Sequence, residues 1–176
     1  MKSVYYSLIY SHIIYAIEVW GSTFKTEIDK ILVLQKRAMR IMTFNDQFPV
    51  NPGPLCPSNP IFLNLGTMKV DDIFNYQICK FIFKSLNDLT PINFRGWFKF
   101  SRDIHKHNTK LNYNIDNKTS TNYLVKHSAR TINYGYKLLK VNGPRIWNEL
   151  PHNIIEQDSL STFLKHLKTY YLSKYE

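Results

Sequence analysis

Apolar positions recur along this chain in four stretches whose spacing predicts helices. From Val4 to Trp20 nearly every residue is apolar or aromatic, the all-round pattern of a helix packed on several sides, and Gly21 stops it. A second helix starts at Thr26 as its cap, carries Asp29 in the first turn where a negative charge suits the helix dipole, and runs to about Thr43. On its wheel Ile28, Ile31, Leu32, Leu34, Ala38, Met39, Ile41 and Met42 fall on one half. Lys30, Lys36, Arg37 and Arg40 share an arc of roughly 120° opposite. A third helix begins near Asp71 and ends before Pro91, with Ile73, Phe74, Ile78, Phe81, Ile82 and Leu86 at three- and four-residue spacing. The last is capped by Asp158 or Ser159 and bears an apolar stripe of Leu160, Phe163, Leu164, Leu167 and Tyr171.

The intervals follow other patterns. Pro49, Pro52, Pro54, Pro57 and Pro60 place five of the eight prolines within twelve residues, which neither a helix nor a central strand survives. Arg102 to Asn122 is rich in Asn, Lys, Thr and His and reads as a loop or as a segment that orders on binding. Between Tyr123 and Trp147 short apolar groups, Ile132, Tyr134, Tyr136, Leu138, Leu139 and Val141, alternate with basic ones, and the β-branched and aromatic content permits one or two short strands. No internal repeat is visible.

Composition narrows the class. The 176 residues are 44 % apolar, enough for one domain or two small helical pieces, and 23 Lys and Arg against 13 Asp and Glu give a net charge of +10. The excess is local: residues 101–150 hold 9 basic and 3 acidic side chains, which points to an anionic partner met there. Cys56 and Cys79 form no CxxC pair, so neither a disulfide framework nor a cysteine zinc site is expected, and the chain reads as intracellular. The apolar run Val4–Ile17 is too short to span a bilayer, and no membrane partner is expected.

Candidate chemistry is sparse. Val70-Asp71-Asp72 brings to mind the aromatic-x-Asp-Asp turn on which polymerases hold two metal ions. Here the aromatic position is Lys69, the pair heads a helical pattern where acids serve the dipole, and no second acidic motif completes the site. His105-Lys106-His107 with His127 lacks the further ligands that a structural zinc requires. Hydrolase signatures, a phosphate-binding glycine loop and a dinucleotide fingerprint are absent from a sequence with six glycines. No catalytic residue, metal ligand or cofactor-binding residue is assigned. Binding remains, through Lys and Arg for phosphates and the interleaved Tyr113, Tyr123, Tyr134 and Tyr136 for unpaired bases.

Several segments carry a resemblance. Ser7-Leu8-Ile9-Tyr10-Ser11-His12 through Glu18-Val19-Trp20-Gly21, then Leu34-Gln35-Lys36-Arg37-Ala38-Met39-Arg40-Ile41, resemble the segment just after the palm and the helix beyond it in the reverse transcriptases of jockey-like, LINE-type non-LTR retrotransposons. Leu63-Asn64-Leu65 with the helix through Phe83-Lys84, then His107-Asn108-Thr109-Lys110, are similar to later stretches of the same family. Gly143-Pro144-Arg145-Ile146-Trp147-Asn148-Glu149-Leu150-Pro151 with Ser159 and Phe163 resembles its terminal segment. The likeness covers almost the whole chain. Family members carry Pro where Ser11 stands and usually Arg where Lys110 stands.

The resemblance implies a mainly α chain: thumb-like helices over 1–45, a Pro-rich linker over 46–62, a helical segment over 63–95 and a basic, partly irregular C-terminal extension over 96–176. It implies a fragment of an RNA-directed DNA polymerase without fingers, palm or endonuclease, and the divalent metal of such an enzyme would belong to the missing palm. The expected partners are an RNA template and a DNA primer, with the palm itself as a protein partner. Lys30, Lys36, Arg37 and Arg40 are expected to meet backbone phosphates from one helix, and Arg130, Lys137, Lys140 and Arg145 from the C-terminal block. The competing expectations are a helical interaction scaffold and a relic without activity.

Overall fold

The computed structural model describes residues 2–43, 57–104, 122–131 and 133–176. It is mainly α, and the described residues contain no strand beyond one isolated antiparallel bridge between Phe100 and Leu124. Two compact units divide the chain: unit 1 comprises 1–76 and 167–176, unit 2 comprises 77–166. The division runs inside two helices. It therefore leaves no mark in composition of the kind that the prolines of 46–62 suggested.

Unit 1 opens with α1 (Lys2–Val4), a π-helical turn over Tyr5–Tyr10 and α2 (Ser11–Ile14). The single helix expected over Val4–Trp20 is broken. Tyr15 is extended and Ala16 adopts a left-handed φ of 51°, after which α3 (Ile17–Trp20) resumes. A non-glycine residue there costs about 1–2 kcal/mol. The carbonyl that the break releases is recovered by the Trp20 indole, which donates to the Tyr15 oxygen at 2.7 Å. Gly21 ends α3 in right-handed conformation, so the glycine serves proximity: a Cβ there would lie 2.3 Å from the Phe74 ring.

Helix α4 (Lys25–Met42) starts two residues earlier than expected, with Phe24 in place of Thr26 as an extended N-cap and no side-chain cap hydrogen bond. Its buried residues are Ile28, Gln35 and Met39. Leu34 and Ile41, expected on the apolar half, are 62 % and 56 % exposed. At about 100° per residue Gln35 lies within roughly 20° of Ile28, whereas Leu34 and Ile41 lie roughly 120–140° away. A polar residue thus sits at the centre of the buried face. Helix α5 (Asn59–Leu65) occupies part of the range read as linker, because Pro60 falls in its first turn, where the missing N–H has no helical partner to lose. Gly66 ends it at φ 62°, the left-handed cap that glycine favours. The core gathers Tyr5, Met39, Ile61, Phe62 and Tyr175.

Helix α6 (Val70–Leu86) begins at the expected acidic pair and gives unit 2 the buried Ile78, Cys79, Ile82 and Phe83. Its Phe81 and, beyond it, Phe94, Trp97 and Phe98 pack edge to face at 5.0–6.4 Å. After α7 (Ser101–Ile104), the segment from Asn122 leads to a short 3-10 turn over Gly135–Lys137 and to α8 (Leu139–Asn148). The strands permitted over 123–147 do not form among the described residues. The buried positions Gly143, Ile146, Trp147 and Leu150 repeat at helical spacing, and that period prevails over the alternation at Tyr134, Tyr136 and Leu138, all of them exposed. Gly143 lets Pro144 sit inside α8 and packs against Ile82 and Phe98, each 3.2 Å from where a Cβ would stand. Helix α9 (His152–Ile155) follows, and α10 (Leu160–Ser173) is capped by the Ser159 hydroxyl, which accepts from Thr162 N–H at 3.3 Å. Phe163 stacks between Phe83 at 4.5 Å and Trp147 at 5.6 Å.

Candidate nucleic-acid interface

The expected phosphate-binding residues fall into two groups, one on each unit. On α4, Lys30 and Arg37 lie on the exposed side, but Lys30 is held 2.9 Å from Glu27 one turn earlier. Lys36 and Arg40 are half-buried, and Arg40 Nε is enclosed without a hydrogen-bond partner among the described residues. The side of α4 that carries Arg37 also presents Val33 and Leu34, 47 % and 62 % exposed. The arc is therefore broken by an ion pair, by burial and by apolar neighbours.

Unit 2 arranges its cations differently. From Asn122 to Asn148 the sequence has no Asp or Glu, while it carries Lys126, Arg130, Lys137, Lys140 and Arg145. Arg130, Lys140 and Arg145 are exposed and Lys137 is half-buried. Glu149 approaches Arg145 only to 3.9 Å, with side chains 65 % and 70 % exposed, a pair worth little in water. Tyr134 and Tyr136 stand among these cations at 77 % and 45 % exposure.

The frame that carries this face is built by two adjacent residues of α8. Asn148 pairs with the backbone of Leu124 through both ends of its amide, accepting from Leu124 N–H at 2.8 Å and donating to its carbonyl at 2.9 Å. Trp147 Nε1 donates to the Asn122 carbonyl at 3.3 Å. Val141, Asn142 and Arg145 of α8 then line a cleft of about 260 Å³ together with Lys126, His127, Ser128 and Tyr136. Sequence reasoning named Arg145 but not Ser128 or Asn142, since their meeting depends on the pinned backbone at Leu124, which no spacing rule shows.

Other sequence candidates are absorbed by structure. Asp71 accepts from Lys25 Nζ at 2.9 Å, and that hydrogen bond is the main reason the Lys25 ammonium is shifted up. Asp72 accepts from the Tyr175 hydroxyl, which itself accepts from Lys69 N–H at 2.9 Å. Burial raises the Asp72 carboxyl above its ordinary range, and the Tyr175 hydrogen bond opposes that rise. Burial lowers the Lys69 ammonium; Asp72 opposes this and Lys36 reinforces it. Gln35, which no binding argument singled out, donates to Tyr5 Oη at 3.0 Å and the Met68 carbonyl at 2.9 Å and accepts from Val70 N–H at 3.0 Å. Its signal was positional: it shares the wheel face of Ile28 and Met39.

Among the described residues no three His, Cys, Asp or Glu side chains come together as metal ligands, and His105, His107, Lys110 and Cys56 lie outside those residues. No described helix is long and apolar enough to cross a membrane. Compared with protein-family models, with curated proteins and with solved structures, the chain matches none of them.

Proposed function

We propose that this chain is the thumb and C-terminal part of a reverse transcriptase of a non-LTR retrotransposon, jockey-like and LINE-type, that grips an RNA template and a DNA primer without supplying the chemistry. The observation that carries the reading is the stretch of unit 2 from Asn122 to Asn148, with five cations, exposed tyrosines and no acid. Such a surface neutralises phosphates and releases their counterions, which binds nucleic acid of any sequence. The resemblance adds the kind of polymer. Its motif residues also have evident work in the fold: Gln35 holds the backbone at Met68 and Val70, and Trp147 with Asn148 holds Asn122 and Leu124.

The test is binding of the whole chain to a blunt RNA–DNA hybrid as a function of salt. Affinity is expected to fall steeply with salt, and the pair Arg130→Glu with Lys140→Glu should lower the logarithmic slope by about 2, near 1 for each phosphate left unneutralised. Absence of binding at low salt overturns the reading. A second reading rests on the exposed Leu8, Tyr15, Val19 and Phe24 of unit 1, 55–80 % exposed, which suit a helical scaffold docking on a protein such as the missing palm. That reading predicts concentration-dependent self-association in sedimentation with no salt-dependent affinity for the hybrid.

A further inference from the structure

Two anchors shape the cleft on unit 2. The first is the clamp of Asn148 on Leu124, two residues before Lys126. The second is the turn at Gly135, so close to the preceding loop that a Cβ there would lie 2.6 Å from Ala129 Cβ. Thr131 ties that turn down, its hydroxyl accepting from Gly135 N–H at 3.0 Å and its carbonyl from Tyr136 N–H at 3.3 Å. Between the anchors, Lys126 and Ser128 on the loop face Asn142 and Arg145 on α8, with Tyr136 on the turn lining the same cleft.

We infer that this cleft holds one unpaired nucleotide of a nucleic-acid strand, with the phosphate on Lys126 and Arg145 and the base against the Tyr136 ring. The inference rests on the reading above for the kind of polymer and on the cleft for the rest. A volume of about 260 Å³ lies just below the usual range of ligand pockets, about 300–1,000 Å³, and suits a single nucleotide better than a base pair. Both cations line the one cleft in a stretch that has no acid of its own, and a phosphate would replace the weak Glu149 partner of Arg145. The Tyr136 ring and Val141 supply apolar walls that bare phosphate has no use for, whereas a base buries its face on them. Asn142 and Ser128 then offer a donor and acceptor amide and a hydroxyl to the base edge or sugar.

The experiment measures binding of the whole chain to single-stranded oligouridine by fluorescence anisotropy, with uridine monophosphate and inorganic phosphate as competitors. Tyr136→Ala is expected to weaken oligouridine binding about tenfold with the salt slope unchanged, and Tyr136→Phe to restore it. Lys126→Ala with Arg145→Ala should reduce the slope by about 0.7, the share of one phosphate on a single strand. Tyr136 is exposed, so circular dichroism of the variant should match the parent. Equal oligouridine affinity in Tyr136→Ala, or inorganic phosphate competing as well as uridine monophosphate, overturns the pocket. Tyr136-dependent oligouridine binding without affinity for the blunt hybrid upholds the pocket and rejects the thumb reading. Hybrid binding indifferent to Tyr136, joined with no preference for single strands, rejects the pocket alone.

Discussion

The two units solve the same problem, holding short helices together, with different chemistry. Unit 1 has 9 Lys and Arg against 7 Asp and Glu, and threads its core with polar side chains: Gln35 bonded to Tyr5 and the 68–70 backbone, Tyr175 bonded to Asp72 and Lys69. Unit 2 has 14 against 6 and builds its core from aromatic faces, with Phe163 between Phe83 and Trp147. In unit 1 Glu27, Asp29, Asp71 and Asp72 each have a partner, with Lys25 on Asp29 and Asp71, Lys30 on Glu27 and the Tyr175 hydroxyl on Asp72. In unit 2 the stretch from Asn122 to Asn148 carries five cations and no acid of its own, and Glu149 just past it approaches Arg145 at 3.9 Å. On the proposed function, binding belongs where cations gather in a stretch without acids, which net charge over the whole chain does not show.

The comparison breaks most readily at Trp147. Trp147→Ala removes the largest buried ring of the stack and the donor to Asn122, and is expected to cost about 3–5 kcal/mol, read as a lower urea midpoint. A loss below about 1 kcal/mol would show that the aromatic stack is not what holds unit 2. Gln35→Leu tests unit 1 in the same way. It keeps the approximate volume but leaves Tyr5 Oη, the Met68 carbonyl and the Val70 N–H without their partner, at about 3 kcal/mol. Gln35→Glu should cost a similar amount, since a carboxylate cannot donate to Tyr5 or Met68. If Leu at 35 is neutral, the polar core is incidental and the contrast between the units fails.

Much of the helical content was legible because it rests on local pattern: the period of Ile73, Ile78 and Ile82, the acidic pair heading α6 and the Ser159 cap all act within a turn or two. The broken first helix was not, because Val4–Trp20 is apolar on every side and periodicity cannot mark where such a helix bends. The buried face of α4 was misjudged because Leu34 and Ile41 are apolar by type and Gln35 polar, whereas burial followed the partners at Tyr5, Met68 and Val70. Most residues of the candidate interface were legible as cations in an acid-poor block. The cleft was not, since Asn148 reaches Leu124 across 24 positions of chain. On α4 the same logic weakens the arc: Arg40→Glu is expected to destabilise through its enclosed Nε, whereas Arg37→Glu should leave stability unchanged to within about 0.5 kcal/mol.

Alkali sharpens the comparison further. Burial raises the phenols of Tyr5, Tyr6, Tyr10, Tyr76 and Tyr175, all in unit 1, with Tyr10 pushed up to about 12 by burial and then by Tyr76, Tyr6 and Tyr5. A folded value above the unfolded one means that the native state keeps protons that the unfolded chain releases. The stability these phenols lend is complete below pH 10.0 and is lost as pH climbs from there through about 12. Urea midpoints measured at about pH 9 and about pH 11 should fall between the two, and Tyr10→Phe should lessen the fall. Identical falls in parent and variant would place the alkaline weakness outside this cluster.

The smallest effect expected is on the acid side and turns on one carboxyl. Asp72 is raised above 3.8 chiefly by burial, with the Tyr175 hydroxyl pulling the other way. Between 3.8 and the folded value the native state binds a proton that the unfolded chain has lost, so the contribution of Asp72 falls as pH rises through that interval. Asp72→Asn still accepts from Tyr175 but never ionises. It forfeits the favourable charge at the start of α6, about 0.3–1 kcal/mol, which offsets part of its gain at neutral pH. The diagnostic quantity is therefore the difference between variant and parent stability as a function of pH: it should move in favour of Asn as pH rises from just below 3.8. A difference that moves toward Asp instead would mean that the Tyr175 bond outweighs burial. The polar threads of unit 1 would then be net sources of stability in their charged form, as the ions on the surface of unit 2 are not.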